Sequence, residues 1–207
     1  MDYFTKEAIK EYERKKIYTI TYHKSLLDKY GLLNLRKKHI LDIGCGFGYT
    51  LSLFKGCKLY GIDKSSIAVK ESQKNLNKKA IIKKWDITKG IPFKTKFDVI
   101  YSFGTFGLID KKNYRKIISA IYTHLNSNGI ALITTPNGSR PNLIVKILRL
   151  NKNRMPIERW TRLISEFHFS SFSIKPILRV PLTYKIFGNH IFLETKLGDP
   201  LVIYMKK

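Results

Sequence analysis

The chain predicts an open α/β fold, a mostly parallel sheet with helices on both faces and an antiparallel C-terminal edge. Three observations carry this. Apolar strand-like runs alternate with helix-like stretches from His39 to Thr135. The first of these runs, His39-Ile40-Leu41-Asp42-Ile43, feeds directly into a glycine turn, Gly44-Cys45-Gly46-Phe47-Gly48. Each of the next two runs ends on a carboxylate, Asp63 and Asp86.

Ile40, Leu41 and Ile43 suit a strand covered on both faces. The alternate glycines let the backbone turn sharply and approach a ligand closely. A dinucleotide fingerprint reads G-x-G-x-x-G, and here Tyr49 stands where its last glycine belongs. After a short helix-like stretch, Tyr49 to Lys55, the second strand runs from Lys58 to Ile62 and ends on Asp63, nineteen residues beyond Gly44. At that distance an α/β nucleotide-binding unit sets a carboxylate on ribose hydroxyls. Asp63 equally suits the N-cap of a helix beginning near Ser65, and the two roles are open to Asp63 and Ser65 between them. The third strand, Ala80 to Lys84, ends in Trp85-Asp86-Ile87. The fourth, Phe97 to Ser102, leads into the small-residue loop Phe103-Gly104-Thr105-Phe106-Gly107.

From Lys111 to Asn126 the apolar spacing of Tyr114, Ile117, Ile118, Ile121, Tyr122 and Leu125 predicts an amphipathic helix. A fifth strand, Ile130 to Thr135, stops at the turn signal Pro136-Asn137-Gly138. Further on, Ile157 to Phe167 reads as a helix and Phe172 to Val180 and Leu201 to Met205 as strands, joined by a long connection, Pro181 to Asp199.

The pattern Asp42-x-Gly44-x-Gly46-x-Gly48, the acidic strand ends and Phe97-Asp98-Val99-Ile100 resemble the motifs of class I S-adenosylmethionine-dependent methyltransferases. The run Leu125 to Asn137 is similar to that part of small-molecule and quinone-biosynthesis methyltransferases. The resemblance implies a Rossmann-like, seven-stranded sheet and S-adenosyl-L-methionine as cofactor. It implies cofactor contacts from Asp42, Gly44, Cys45, Gly46 and Gly48 in the turn, and from Asp63, Lys64, Asp86, Ile87 and Ser102 at strand ends. In the family an Asp at the position of Asp86 accepts from the adenine amino group, and the apolar neighbour, here Ile87, covers the ring. Enzymes that methylate base amines or glutamine amides carry an Asn/Asp-Pro-Pro-aromatic tetrad after the fourth strand; this chain has Tyr101-Ser102-Phe103-Gly104 there. That favours a small-molecule or lipid-linked acceptor over a base, with RNA methylation or a non-catalytic cofactor-binding module as alternatives. No catalytic residue is singled out; His23, His168 and His190 lie in segments that could reach the substrate.

One domain is expected over residues 1–207: a polar helical segment (1–35) that either lids the cofactor or packs on the sheet, a cofactor core (39–135), and a substrate-side region (136–207). Two cysteines, Cys45 and Cys57, give neither a disulfide framework nor a metal spacing, and no apolar leader opens the chain, so a reducing, cytoplasmic setting is expected. The formal charge of +24 rests on 39 basic residues against 15 acidic ones. It reflects either composition bias or a polyanionic partner. From Lys111 to Ile157 no Asp or Glu occurs, while Lys111, Lys112, Arg115, Lys116, Arg140, Lys146, Arg149, Lys152 and Arg154 accumulate. Several flank the apolar run Asn142 to Leu150, too short for the roughly 20 residues of a transmembrane helix but suited to peripheral contact with an anionic membrane surface.

Overall fold

The computed structural model describes residues 6–139, 153–179, 190–195 and 198–207. The apolar run Asn142–Leu150, with Arg140, Lys146, Arg149 and Lys152, and the stretch 181–189 with Phe187 and Gly188 lie outside the described residues. The chain divides into two compact units, 1–89 with 180–191, and 90–179 with 192–207.

In the first unit, helices α1 (Lys6–Arg14) and α2 (Lys16–Lys29) precede strand β1 (His39–Ile43), strand β2 (Lys58–Asp63), helix α3 (Ser66–Asn75) and strand β3 (Ala80–Lys84). The three strands lie parallel in the order β3-β2-β1, with Leu41 opposite Tyr60 and Tyr60 opposite Ile81. Ile40, Leu41 and Ile43 are fully buried, which is why β1 reads as a continuous apolar run. β3 is only half covered: Ile81, Lys83 and Lys84 are exposed, and paired lysines discourage further strand addition. The helix expected over Tyr49–Lys55 shrinks to one 3-10 turn, Leu51–Leu53, which Phe54 ends in an extended conformation.

The second unit contains β4 (Phe97–Ser102), α4 (Tyr114–His124), β5 (Leu125–Thr135), α5 (Ile157–Ser165), β6 (Ser171–Arg179), β7 (Phe192–Glu194) and β8 (Leu201–Lys206). β4 and β5 are parallel; β8 runs antiparallel to β5, β6 to β8 and β7 to β6. Among the described residues there are thus eight strands where seven were expected. The extra one, β7, is three residues long and sits inside the predicted long connection. α4 is shorter than its pattern: a 3-10 turn, Lys111–Asn113, begins it, with the Asp110 carboxylate accepting from the Lys112 N–H. At its other end Leu125–Gly129 already belongs to β5, with Asn128 in the left-handed region at φ 64°. Tyr114, Ile117, Ile118 and Ile121 form the buried stripe of α4, and the Tyr114 ring stacks on Trp160 of α5 at 4.9 Å and 17°.

Arg154, expected as a surface cation of the acid-free run, is instead buried and paired: its Nη2 lies 2.6 Å from Asp199 Oδ2 and its side chain is 7 % exposed. The carboxylate that neutralises it arrives from 45 residues away.

Candidate functional site

The glycine turn leaves β1 with three residues in the left-handed region, Gly44, Gly46 and Gly48, at φ 78°, 51° and 76°. Only glycine enters that region without steric cost. The Ile62 carbonyl accepts from the N–H groups of Gly44 (2.8 Å) and Cys45 (3.0 Å), fixing the turn to the end of β2. Asp63 completes the tie. One carboxylate oxygen accepts from the Gly46 N–H and the other from the Ser65 N–H, both at 2.9 Å. Ser65 is the N-cap of α3, its hydroxyl accepting from Ala68 N–H at 3.2 Å, so the cap falls to Ser65 and Asp63 is left holding the turn in place.

Gly46 and Gly48 differ in what surrounds them. A Cβ on Gly48 would stand 2.8 Å from Leu76 Cδ1 and 3.1 Å from Ser72 Cβ, so this glycine lets α3 pack against the turn. A Cβ on Gly46 would stand 2.6 Å from the Tyr12 hydroxyl. Tyr12 comes from α1; its ring lies 4.7 Å from that of Phe47 and stacks on Tyr49 at 5.8 Å and 22°. Ile9, Ile20 and Ile67 pack on the same cluster. Burial, then the negative field of Asp42 and Asp63, pushes the Tyr12 hydroxyl far up, so it is a neutral donor at any ordinary pH. In the sequence, the local hint of Tyr12's place is the Ile9–Tyr12 spacing on one helix face.

Asp42 and Cys45 are buried, and burial pushes the Cys45 thiol well up, which keeps it protonated and unreactive. Lys64 and Asp86 meet as an ion pair at 3.2 Å, with Lys64 largely exposed. Asp86 Oδ1 accepts from the Thr88 N–H (3.0 Å) and hydroxyl (2.8 Å). Partial burial raises the Asp86 carboxyl, but the Thr88 donors and Lys64 outweigh it and hold the group below its ordinary value. Ile87 is buried beside it. The structure therefore gathers Asp42, Cys45, Gly46 and Asp63 around Tyr12, and joins Lys64 to Asp86. Ser102 ends β4 in the second unit, where it is fully buried.

Of the histidines considered as bases, His23 Nδ1 lies 2.7 Å from Thr50 Oγ1. His190 is buried, its Nε2 lies 3.3 Å from Thr21 Oγ1 and its N–H donates to Ser25 Oγ at 3.0 Å. His168 is exposed on the second unit. No helix among the described residues is long and apolar enough to cross a membrane.

A family model described as a methyltransferase domain matches residues 12–179. Among solved structures, an S-adenosylmethionine-dependent methyltransferase of Thermotoga maritima is similar at 18% identity and TM-score 0.70, the alignment covering 96% of either chain. A TehB-like methyltransferase of Corynebacterium glutamicum gives 18% identity and TM-score 0.62 over 90% of this chain and 88% of its own. The phospholethanolamine N-methyltransferase 2 of Haemonchus contortus, in complex with phosphomonomethylethanolamine and S-adenosylhomocysteine, gives 16% identity and TM-score 0.64 over 89% of this chain and 52% of its own. A search of curated proteins finds no match. With the family model spanning most of its length and S-adenosylmethionine-dependent enzymes sharing its fold, the chain belongs to the methyltransferase-domain family of class I and works with S-adenosylmethionine.

Proposed function

We propose that the enzyme methylates a small-molecule or lipid-linked acceptor and holds the cofactor on the Asp42–Gly48 turn, with Asp63, Lys64, Asp86 and Ile87 at the strand ends. The observation that carries this reading is the Asp63 carboxylate, locked by two backbone N–H groups against the central glycine of the turn. Carboxylate oxygens accept more than one donor each, so a carboxylate held in this way suits ribose hydroxyls as well. Asp86, kept ionised by Thr88 and Lys64, suits an amino-group donor, and Ile87 offers an apolar wall. Ser102, at the end of β4, is assigned by motif resemblance alone.

The residues fit the cofactor on one condition. The space over Gly46 is taken by the Tyr12 hydroxyl, so the methionine part of the cofactor enters only as Tyr12 withdraws. Bound S-adenosylmethionine supplies an electrophilic methyl carbon on a sulfonium. The chain's part is to orient that group and, with α1 and its aromatic cluster back in place, to exclude water. The Haemonchus enzyme, with a small phosphorylated amine bound, supports a small acceptor here, as does the lack of a planar-amine tetrad after β4. Both cysteines are free thiols, in keeping with a reducing, cytoplasmic setting.

Titration calorimetry tests the assignment. Asp63→Ala is expected to weaken S-adenosylmethionine binding at least about tenfold, since a hydrogen bond to a charged group contributes about 1.5–3 kcal/mol. Tyr12→Ala is expected to tighten it several-fold by removing a competing occupant. A folded Asp63→Ala variant that binds as the parent does removes the carboxylate from the site. Weaker binding by Tyr12→Ala makes Tyr12 a cofactor contact instead of a competitor.

A further inference from the structure

The second unit contains a cavity of about 450 Å³ lined by Lys112, Arg115, Lys116, Ser119, Glu166 and Phe167. Its size falls within the roughly 300–1,000 Å³ of small-molecule sites. Lys112, Arg115, Lys116 and Ser119 follow the i, i+3, i+4, i+7 spacing along the turn that begins α4 and α4 itself. This stripe faces away from the buried one of Tyr114, Ile117, Ile118 and Ile121.

The charges in the cavity are not equivalent. Arg115 Nε lies 2.7 Å from Glu166 Oε2. This ion pair offsets the one acidic group in the lining, although the Arg115 side chain itself stays 75% exposed. The two Nη groups, which make no hydrogen bond or ion pair among the described residues, remain as donors for a ligand. Lys112 is loosely neutralised by Asp110 at 3.4 Å, whereas Lys116 has no ion-pair partner among the described residues. The Ser119 side chain adds a hydroxyl. Phe167, half-buried and 6.0 Å from the Tyr122 ring, adds an aromatic wall.

A guanidinium with both Nη groups unbonded, an unpaired ammonium and a hydroxyl around one hollow suit a doubly charged tetrahedral oxyanion, because an Arg fork can donate two parallel bonds to it. The aromatic wall suits a flat or apolar body attached to that anion. We propose that this cavity binds a phosphate monoester carried on an aromatic or apolar group. This assignment does not rest on the reading of the glycine turn. The chain's general excess of positive charge attracts anions everywhere on its surface, but it supplies neither a shared hollow nor an adjoining ring.

Calorimetry on the full chain in about 0.15 M salt, where the Debye length is about 8 Å, separates the site from that background. Phenyl phosphate and inorganic phosphate serve as probes. Phenyl phosphate is expected to bind once per chain and saturably. Lys116→Gln and Arg115→Gln should each weaken it at least tenfold. Phe167→Ala should weaken phenyl phosphate several-fold and leave inorganic phosphate unchanged. The double variant Lys70→Gln/Lys74→Gln, on the exposed face of α3, should bind as the parent does. Unchanged S-adenosylmethionine binding and thermal unfolding in the Lys116 and Arg115 variants show that they remain folded. The proposal is overturned by non-saturable binding, or by an equal loss in the α3 variant. It is overturned too if phosphatidylglycerol vesicles or single-stranded RNA bind while phenyl phosphate does not.

Discussion

His23 shows what a single side chain contributes. Desolvation pushes its ring down to about 3, and its Nδ1 lies 2.7 Å from the Thr50 hydroxyl. In the unfolded chain the ring titrates near 6.5. Between those two values the unfolded state binds a proton that the folded state refuses, so stability is whole above pH 6.5 and falls as pH drops toward 3. His23→Gln keeps a hydrogen-bonding group and removes the titration. The parent's urea midpoint is expected to fall more than the variant's between pH 7 and pH 4.5; equal slopes would mean that the ring is solvated. Nothing in the sequence around His23 signals this desolvation, which depends on where α2 packs. Asp63 was more legible, because the turn it completes lies within twenty residues and obeys local rules of glycine conformation and hydrogen bonding. Even there its structural duty, the bond to Gly46 N–H, appears only in three dimensions.

Among the elements, the junction of β5, α5 and β8 depends on one ionic knot. Asn137 donates its N–H to Asp199 Oδ1 at 2.9 Å and its side-chain amide to the Gly198 carbonyl at 2.8 Å. Arg154 donates to the Asn137 carbonyl through Nε at 2.7 Å and to Asp199 through Nη2. Removing one member of a buried pair strands the other charge, at a cost of about 3–5 kcal/mol. Arg154→Ala should therefore lower stability in chemical denaturation toward that range, and Arg154→Lys should restore little, since an ammonium cannot bond to both acceptors in one plane. A loss within the scatter of surface variants would show the knot to be solvated. The sequence hid this pair because its members are far apart and each looks, alone, like an ordinary surface charge. Helix α4 was legible from its apolar stripe, but its C-terminal limit was not, since Leu125 fits a helical stripe and a buried strand position equally well.

For the molecule as a whole, the fold class followed from alternating periodicities that do not depend on distant contacts. The strand count did not, because Phe192–Glu194 is too short to show a period. A charge of +24 acts over the same scale. Like charges spread over one chain repel, and salt shortens their reach from about 30 Å at 0.01 M to about 10 Å at 0.1 M. The thermal midpoint is accordingly expected to climb by several degrees over that salt range in calorimetric scans. A flat or falling midpoint would show that local ion pairs, such as Arg115–Glu166 and Lys175–Glu194, outweigh the repulsion.

The Tyr12 ring over Gly46 has a kinetic corollary. An occupant tethered to the chain cannot distinguish S-adenosylmethionine from the demethylated product, because both present the same amino-acid chain and ribose to the turn. On the reading proposed above, it lowers the apparent affinity for each by the same factor, because it fills part of the empty site for part of the time. Released product is therefore slow to rebind, while the preference between the two molecules is left to whatever contacts the methyl group itself.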